Sequence, residues 1–208
     1  MIGCLVGSEM CIRDRLLRKK NVKVLTVEKN KLDLTNQKKV FSWIKKNKPD
    51  GIINAAGKVG GILHNSLYPA EFIYINMIIA ANIVHGSYLY TVKRLINLGS
   101  ACVYPKITKQ PIKEDYLLTG PLEKTNEAYA IAKISGIKLC EAIRKQYNFD
   151  AISLMPTNLY GPGDNYHPTN SHVLPAFIRR FEEASQKKDD KVICWGTGSP
   201  MREFLHVD

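Results

Sequence analysis

The sequence predicts an α/β fold built as a doubly wound parallel sheet, followed by the beginning of a small C-terminal part. Three observations predict it. Short apolar runs alternate with longer stretches of helical spacing, which is the pattern of right-handed βαβ units. Tyr129 and Lys133 stand four residues apart in one helical stretch, so they share a helix face. Ser100 follows an apolar run, Val92–Leu98, and a glycine, which places it at the C-terminal end of a strand.

The elements follow in order. Val22–Val27 reads as a strand, Gln37–Lys46 as an amphipathic helix and Gly51–Ala55 as a buried strand. Pro69–Leu89 has helical spacing, with its proline at the start, where no backbone N–H is needed. Arg94–Leu98 is a strand, Asn126–Gln146 a long helix and Ala151–Met155 a strand. His172–Ala184 is a helix and Lys191–Trp195 a strand. The Pro/Gly-rich stretch Tyr160–Pro168 is a loop, where the chain leaves the sheet to build a substrate-facing part.

Composition narrows the class. With 208 residues, 45% hydrophobic and 24% charged, the chain holds one sizeable core. No apolar run reads as long enough to span a membrane. The five cysteines, Cys4, Cys11, Cys102, Cys140 and Cys194, are odd in number and lack CxxC spacing. That argues against a disulfide framework and a zinc site, and for a reducing compartment. The net charge of +11 invites a nucleic-acid reading. The lysines are scattered, however, with short clusters at Arg18–Lys20, Lys45–Lys48 and Lys187–Lys191, and no aromatic–basic platform accompanies them. Such a field also attracts anionic small molecules such as dinucleotides and nucleotide-sugars.

Chemistry enters through Tyr129 and Lys133. A neighbouring ammonium favours phenolate, which makes the phenol a usable proton donor and acceptor near neutral pH. Any helix can show this spacing by chance, as a solvated pair. Ser100 upstream turns the pair into a carbonyl-polarising triad suited to hydride transfer to or from a nicotinamide, with the three side chains converging on one point.

Six segments carry a wider resemblance: Asn54–Ile62 (NAAGKVGGI), Leu98–Lys106 (LGSACVYPK), Asn126–Lys133 (NEAYAIAK), Met155–Pro162 (MPTNLYGP), Asn170–Val173 (NSHV) and Trp195–Phe204 (WGTGSPMREF). On these motifs the chain resembles the extended short-chain dehydrogenase/reductase family, and within it the GDP-4-keto-6-deoxymannose epimerase/reductases. The likeness runs from about Leu16 to Asp208. It implies a Rossmann-like fold and a reaction that epimerises C3 and C5 of a 4-keto sugar, then reduces C4 with NADPH.

The resemblance implies roles residue by residue. Ser100, Tyr129 and Lys133 would act at the C4 oxygen, and Cys102 and His172 would be the acid/base pair of epimerisation, flanking the same pocket. Reference pKa values of ~8.5 for a thiol and ~6.5 for an imidazole lie within reach of neutrality. Read alone, Cys102 is equally a small buried hydrophobe, and His172 a residue at a helix start. Cys102 stands two residues after Ser100, so strand alternation, if continued, turns both side chains the same way.

The cofactor NADP would be held by Lys29, Asp33, Leu34, Asn54, Ala55, Ala56, Gly57, Lys133, Pro156, Asn158, Leu159 and His172. Glu28 favours a free 2′-hydroxyl while Lys29 and Lys31 favour a 2′-phosphate, and the family's preference tips the reading to NADP. Gly60 and Gly61 permit close backbone approach. The GDP-sugar would meet Asn158, Val173, Arg180, Trp195 and Arg202, with arginine suited to a diphosphate and Trp195 open to a core-packing role instead. A homodimer through Pro69–Leu89 and Asn126–Gln146 is implied, in the cytoplasm, with neither nucleic acid nor membrane as partner.

Two departures shape the expected domains. A dinucleotide fold opens with a strand and a glycine-rich turn, yet Gly3 and Gly7 fit neither GxGxxG nor GxxGxxG. Residues 1–15 therefore read as foreign or artefactual. Residues 16–160 read as the NADP-binding domain, with first strand and glycine loop missing or altered, and 161–208 as the start of a nucleotide-sugar-binding part, truncated. On that reading the chain itself binds NADPH poorly and turns over little. The alternatives are another NAD(P)-dependent nucleotide-sugar epimerase or dehydratase, an inactive fragment, or a basic nucleic-acid-binding module.

Overall fold

A computed structural model describes the backbone of residues 2–6 and the whole of residues 22–168, 171–194, 196–199 and 201–208. Five strands form one parallel sheet: β1 (Ile2–Val6), β2 (Val24–Val27), β3 (Gly51–Ala55), β4 (Arg94–Leu98) and β5 (Ala151–Leu154), in the order β2-β1-β3-β4-β5. The register sets Leu5 opposite both Val27 and Asn54, Asn54 opposite Asn97, and Leu98 opposite Leu154. The helices are α1 (Gln37–Asn47), α2 (Ile62–Leu67), α3 (Pro69–Leu89), α4 (Glu127–Tyr147) and α5 (Val173–Lys187). A second, two-stranded parallel sheet pairs β6 (Asn158–Tyr160) with β7 (Phe204–His206).

The strand order corrects the expectation for the N-terminus. Ile2–Val6 belongs to the sheet: it is the strand between β2 and β3. The glycine spacing spoke only for the turn after this strand. The segment IGCLV is itself a short apolar run of the kind that fills a central parallel strand. The rest of the segment read as foreign, residues 1 and 7–15, lies outside the described residues, as do residues 16–21. Since β1 leads to β2 on one side and β3 lies on the other, the chain reverses direction across the sheet between β1 and β3. Ligands of open α/β sheets bind at the carboxyl ends of the strands beside such a reversal.

Local chemistry explains each helix. Asn36 caps α1 by accepting from Lys39 N at 3.1 Å, Val40 and Ile44 face the core, and Lys45 and Lys46 in the last turn complement the helix dipole. Lys48 ends α1 in the left-handed region at φ 45°. Pro69 opens α3, which buries Phe72, Ile79, Ile83 and Val84. By length and hydropathy α3 is apolar enough to cross a membrane, contrary to the sequence reading. Half of that stretch is buried inside the protein, and its buried polar groups find backbone partners there. Asn82 Nδ2 donates to Leu34 O at 2.8 Å and Ser87 Oγ to Ile83 O at 2.7 Å.

The helices α3 and α4 pack closely because Gly136 lacks a side chain: a Cβ there would stand 3.0 Å from Ala80 Cβ. The main core gathers Val40, Ile44, Ile52, Ile83, Val84, Leu95 and Cys140 between sheet and helices. Three further readings are corrected. Lys191–Cys194 is irregular, and Trp195 lies outside the described residues; β6 and β7 were unforeseen because each is three residues long; and α2 was unforeseen in a glycine-led, six-residue stretch.

Candidate active site

The site begins where β4 stops. Gly99 N donates to Leu154 O at 2.7 Å, so the chain is still pinned to β5 one residue past the strand. A Cβ at Gly99 would meet Ile137 Cδ1, Leu154 O and Met155 Cγ, each at 3.3 Å, which explains the glycine. Ser100 is extended, and Ala101–Val103 then makes one turn of 3₁₀ helix. This turn, rather than continued strand alternation, brings Cys102 back: its Sγ–H donates to Ser100 Oγ at 3.3 Å. The fully buried Val103 anchors the turn against Ile134 and Ile137 of α4.

From α4, Lys133 Nζ donates to Leu98 O at 2.9 Å, tying the helix to the strand end. The same ammonium lies 5.7 Å from the Tyr129 ring centroid, and Phe72 meets Tyr129 edge-on at 6.3 Å. Burial pushes the Cys102 thiol up from its ordinary range, while the Ser100 hydrogen bond and the Lys133 charge pull part of the way back. Ser100, Cys102, Tyr129 and Lys133 are thus linked around one strand end.

The loop after β3 lies against this corner. Asn54 Oδ1 accepts from Ala56 N at 3.3 Å while its Nδ2 donates across the sheet to Asn97 Oδ1 at 2.8 Å. Asn76 clamps the loop in both directions: its Oδ1 accepts from Lys58 N at 2.8 Å and its Nδ2 donates to Lys58 O at 3.0 Å. A Cβ on Gly57 would stand 2.8 Å from Asn76 Oδ1 and 3.8 Å from Lys133 Nζ, so only glycine lets this backbone run beside the lysine. Asn65 Nδ2 fixes the next turn by donating to Gly60 O at 2.8 Å and Gly61 O at 3.1 Å. A Cβ on Gly61 would meet nothing within 4 Å. This open glycine edge, at the sheet's reversal point, fits an approaching dinucleotide.

On the β2 side, Lys29 is exposed. Asp33 accepts from Thr35 N at 2.9 Å and Thr35 Oγ1 at 2.8 Å, and those bonds hold its carboxyl below the usual range. Leu34 offers its carbonyl to Asn82. Lys31 pairs with Glu28 at 3.7 Å.

The residues expected to meet the substrate sit on the later segments. Asn158 Nδ2 donates to Glu203 O at 3.0 Å, and Leu159 lies opposite Leu205, so β6 carries them beside β7; Pro156 precedes β6 and is half-buried. His172 is the N-cap residue of α5, exposed and without a side-chain cap bond, and Val173 follows it. Arg180 donates to the Ile193 carbonyl, and Arg202 Nη1 to Met201 O at 2.8 Å. Among the described residues, no hydrogen bond joins His172 to the Ser100–Cys102–Lys133 group. Sequence reasoning missed Asn65, Asn76 and Asn97. Buried asparagines inside apolar stretches were the available signal, since such amides need partners.

Comparison with known proteins agrees with this geometry. Residues 5–208 match the model of the NAD dependent epimerase/dehydratase family, a match that begins inside the segment read as foreign. A putative GDP-L-fucose synthase 2 of Arabidopsis thaliana is 59% identical over 179 residues, covering 86% of this chain and 55% of that protein. The GDP-L-fucose synthase of Escherichia coli (strain K12) is 51% identical over 204 residues, covering 98% of this chain and 63% of its own. The structure of a GDP-L-fucose synthetase from Naegleria fowleri bound to NADP superposes with a TM-score of 0.84 at 29% identity, covering 99% of this chain and 69% of that one. The chain therefore spans between 55% and 63% of the length of these two curated relatives. With its parallel sheet, its reversal between β1 and β3 and the family match running almost end to end, the chain belongs to the NAD dependent epimerase/dehydratase family.

Proposed function

We propose that the chain carries the catalytic portion of a GDP-L-fucose synthase, which epimerises GDP-4-keto-6-deoxy-D-mannose at C3 and C5 and reduces it at C4 to GDP-L-fucose. The observation that carries this reading is the strand-end corner in which Cys102 bonds Ser100 while Lys133 spans Leu98 and Tyr129. Its relatives named GDP-L-fucose synthase support the substrate assignment.

NADPH, when bound, supplies the hydride to C4. The residues that would hold it are Lys133, the Asn54–Gly57 turn and the β2-side residues Lys29, Asp33 and Leu34, with Pro156, Asn158, Leu159 and His172 on the other side. In reduction, Tyr129 gives its hydroxyl proton to the developing C4 alkoxide, and the Lys133 charge favours the phenolate left behind. In epimerisation, His172 takes a proton from C3 or C5 and negative charge gathers on the C4 oxygen, where Ser100 and Tyr129 donate hydrogen bonds. Burial keeps Cys102 a thiol at neutral pH, which suits it to return a proton to carbon. His172 then serves as its acid/base partner. Asn158, Val173, Arg180, Trp195 and Arg202 meet the nucleotide-sugar, the arginines at the diphosphate.

A homodimer through α3 and α4 is part of this proposal, supported by exposed Tyr74, Met77 and Ile131 on those helices. A cytoplasmic setting is supported by the free thiols Cys102, Cys140 and Cys194.

The test joins the chain to the portion of the Escherichia coli relative that it does not span. Supplied with NADPH and GDP-4-keto-6-deoxymannose, this protein should oxidise NADPH and yield GDP-L-fucose. A product inverted at neither C3 nor C5 points to another nucleotide-sugar enzyme of the family, and an untouched substrate rejects the reading.

A further inference from the structure

The inner face of α5 carries an arginine that the proposed chemistry does not use. Pro175 and Ala184 are the buried residues of this helix, and Arg179 stands one turn after Pro175 on the same side. Its side chain is only 20% exposed. An apolar residue is the ordinary occupant of such a position, and a sheltered guanidinium needs acceptors. Arg179 Nη1 donates to Glu183 Oε1 at 2.7 Å and Nη2 to Pro168 O at 3.4 Å, while its Nε is buried and, among the described residues, donates to no acceptor. A buried N–H left so costs stability, so packing alone does not select this arginine. The pair with Glu183 does not account for it either. It is an i,i+4 pair with the cation first, the less favourable order. The Pro168 carbonyl is what remains, and it belongs to the loop between β6 and α5. That loop is pinned at its other end, where a Cβ on Gly161 would stand 2.6 Å from Val207 Cγ2. Local bonds shape it in between: Asp164 N donates to Gly161 O at 3.2 Å, Asn165 N to Asp164 Oδ1 at 2.7 Å and His167 N to Asn165 Oδ1 at 3.0 Å. The adjacent Arg180 donates to the Ile193 carbonyl beyond the helix. Neighbouring arginines thus clamp the segments before and after α5 by their backbone carbonyls.

We propose that Arg179 is a positioning residue. It ties the loop 161–168 to α5 at Pro168, four residues ahead of His172 in sequence, and so fixes how the head of the helix presents His172. Arg180 is the arginine expected at the diphosphate, so its clamp on Ile193 is given up when substrate binds. The Arg179 clamp stays in place and keeps loop and helix together. The proposal rests on the reading of His172 as the acid/base partner of Cys102, but the tie itself is measured without turnover.

Hydrogen–deuterium exchange of the chain, followed by mass spectrometry, reads the tie. Arg179→Met keeps the aliphatic stem and removes the guanidinium. The loop amides of Asp164, Asn165 and His167 should then exchange about tenfold faster, with those of α4 unchanged. Glu183→Gln breaks the ion pair but leaves the Pro168 bond, so the loop should keep its protection. No acceleration in Arg179→Met, or an equal acceleration in Glu183→Gln, overturns the tie. Should Arg179→Met not fold, Arg179→Lys carries the same expectations, because a single ammonium lacks the fork that reaches Glu183 and Pro168 together. The positioning role is read in the completed chain. Arg179→Met should lower kcat for deuterium incorporation at C3 and C5 of the sugar about tenfold, and leave KM for the GDP-sugar unchanged because Arg180 is intact. A raised KM with unaltered kcat overturns the positioning role and makes Arg179 a recognition residue. If the tie is seen but no form of the completed chain turns over, the unaltered one included, the function is rejected, and with it the role of His172, while the tie stands.

Discussion

The two sides of the candidate site are built in different ways. The strand-end corner is assembled by long-range packing: Leu98, Gly99 and Val103 are buried, Phe72 backs Tyr129, and Lys133 reaches from α4 to β4. On the later segments, His172, Val173 and Arg202 are exposed, and Arg202 bonds only the carbonyl of its own neighbour Met201 among the described residues. Ser100, Cys102, Tyr129 and Lys133 therefore take their geometry from the core, whereas His172 and the residues expected to meet the nucleotide-sugar take theirs from local turns and one short strand pair. Proton transfer demands fixed distances, which a close-packed interior supplies.

The comparison can be broken most forcefully through the core. Phe72 is 1% exposed and meets Tyr129 edge-on. Phe72→Ala should lower unfolding stability by about 3–5 kcal/mol, read from denaturant melts. A loss below about 1 kcal/mol would mean that the corner is not held by packing at all. Tyr129→Phe keeps the ring and its packing but removes the proton. In the completed chain it should slow ketone reduction by at least ~10²-fold with the melt unchanged.

Gly57 tests the contact between loop and lysine. The added methyl of Gly57→Ala would stand 2.8 Å from Asn76 Oδ1, so the loop must shift. Overpacking of that kind costs about 1–3 kcal/mol, and titration should show NADPH affinity weakened by a similar amount. Unaltered affinity would remove this loop from the cofactor site. The smallest effect belongs to the recognition side. Arg180→Ala should raise the KM for the GDP-sugar about tenfold, a change of ~1.4 kcal/mol, without moving kcat or the melt. A change in kcat instead would show that the recognition side also shapes the reacting geometry.

Much of the fold was legible because its signals are local. Apolar runs marked β3 and β4, Pro69 marked the start of α3, and the spacing of Tyr129 and Lys133 placed both on α4. The central strand Ile2–Val6 departs from the expectation because the atypical glycine pattern after it bears only on the turn, not on the strand. The strands β6 and β7 were missed because three residues carry no readable period, and their pairing joins segments far apart in sequence. In the site, the residue types of Ser100, Cys102, Tyr129 and Lys133 were legible, but the 3₁₀ turn that joins Cys102 to Ser100 was not. The amides of Asn54, Asn76 and Asn97 acquire their meaning only from partners on other elements, which no single stretch of sequence displays.

Under the proposed function one half-buried corner takes part in both halves of the reaction, with Cys102 handling the carbon-bound protons. Solvent deuterium incorporation into GDP-4-keto-6-deoxymannose, followed at C3 and C5 in the completed chain, tests it most directly. Cys102→Ser should slow incorporation at one or both carbons by at least ~10²-fold, the low end for a positioned acid, with the fold intact. Normal exchange at both carbons in that variant would contradict the claim and make Cys102 a packing residue.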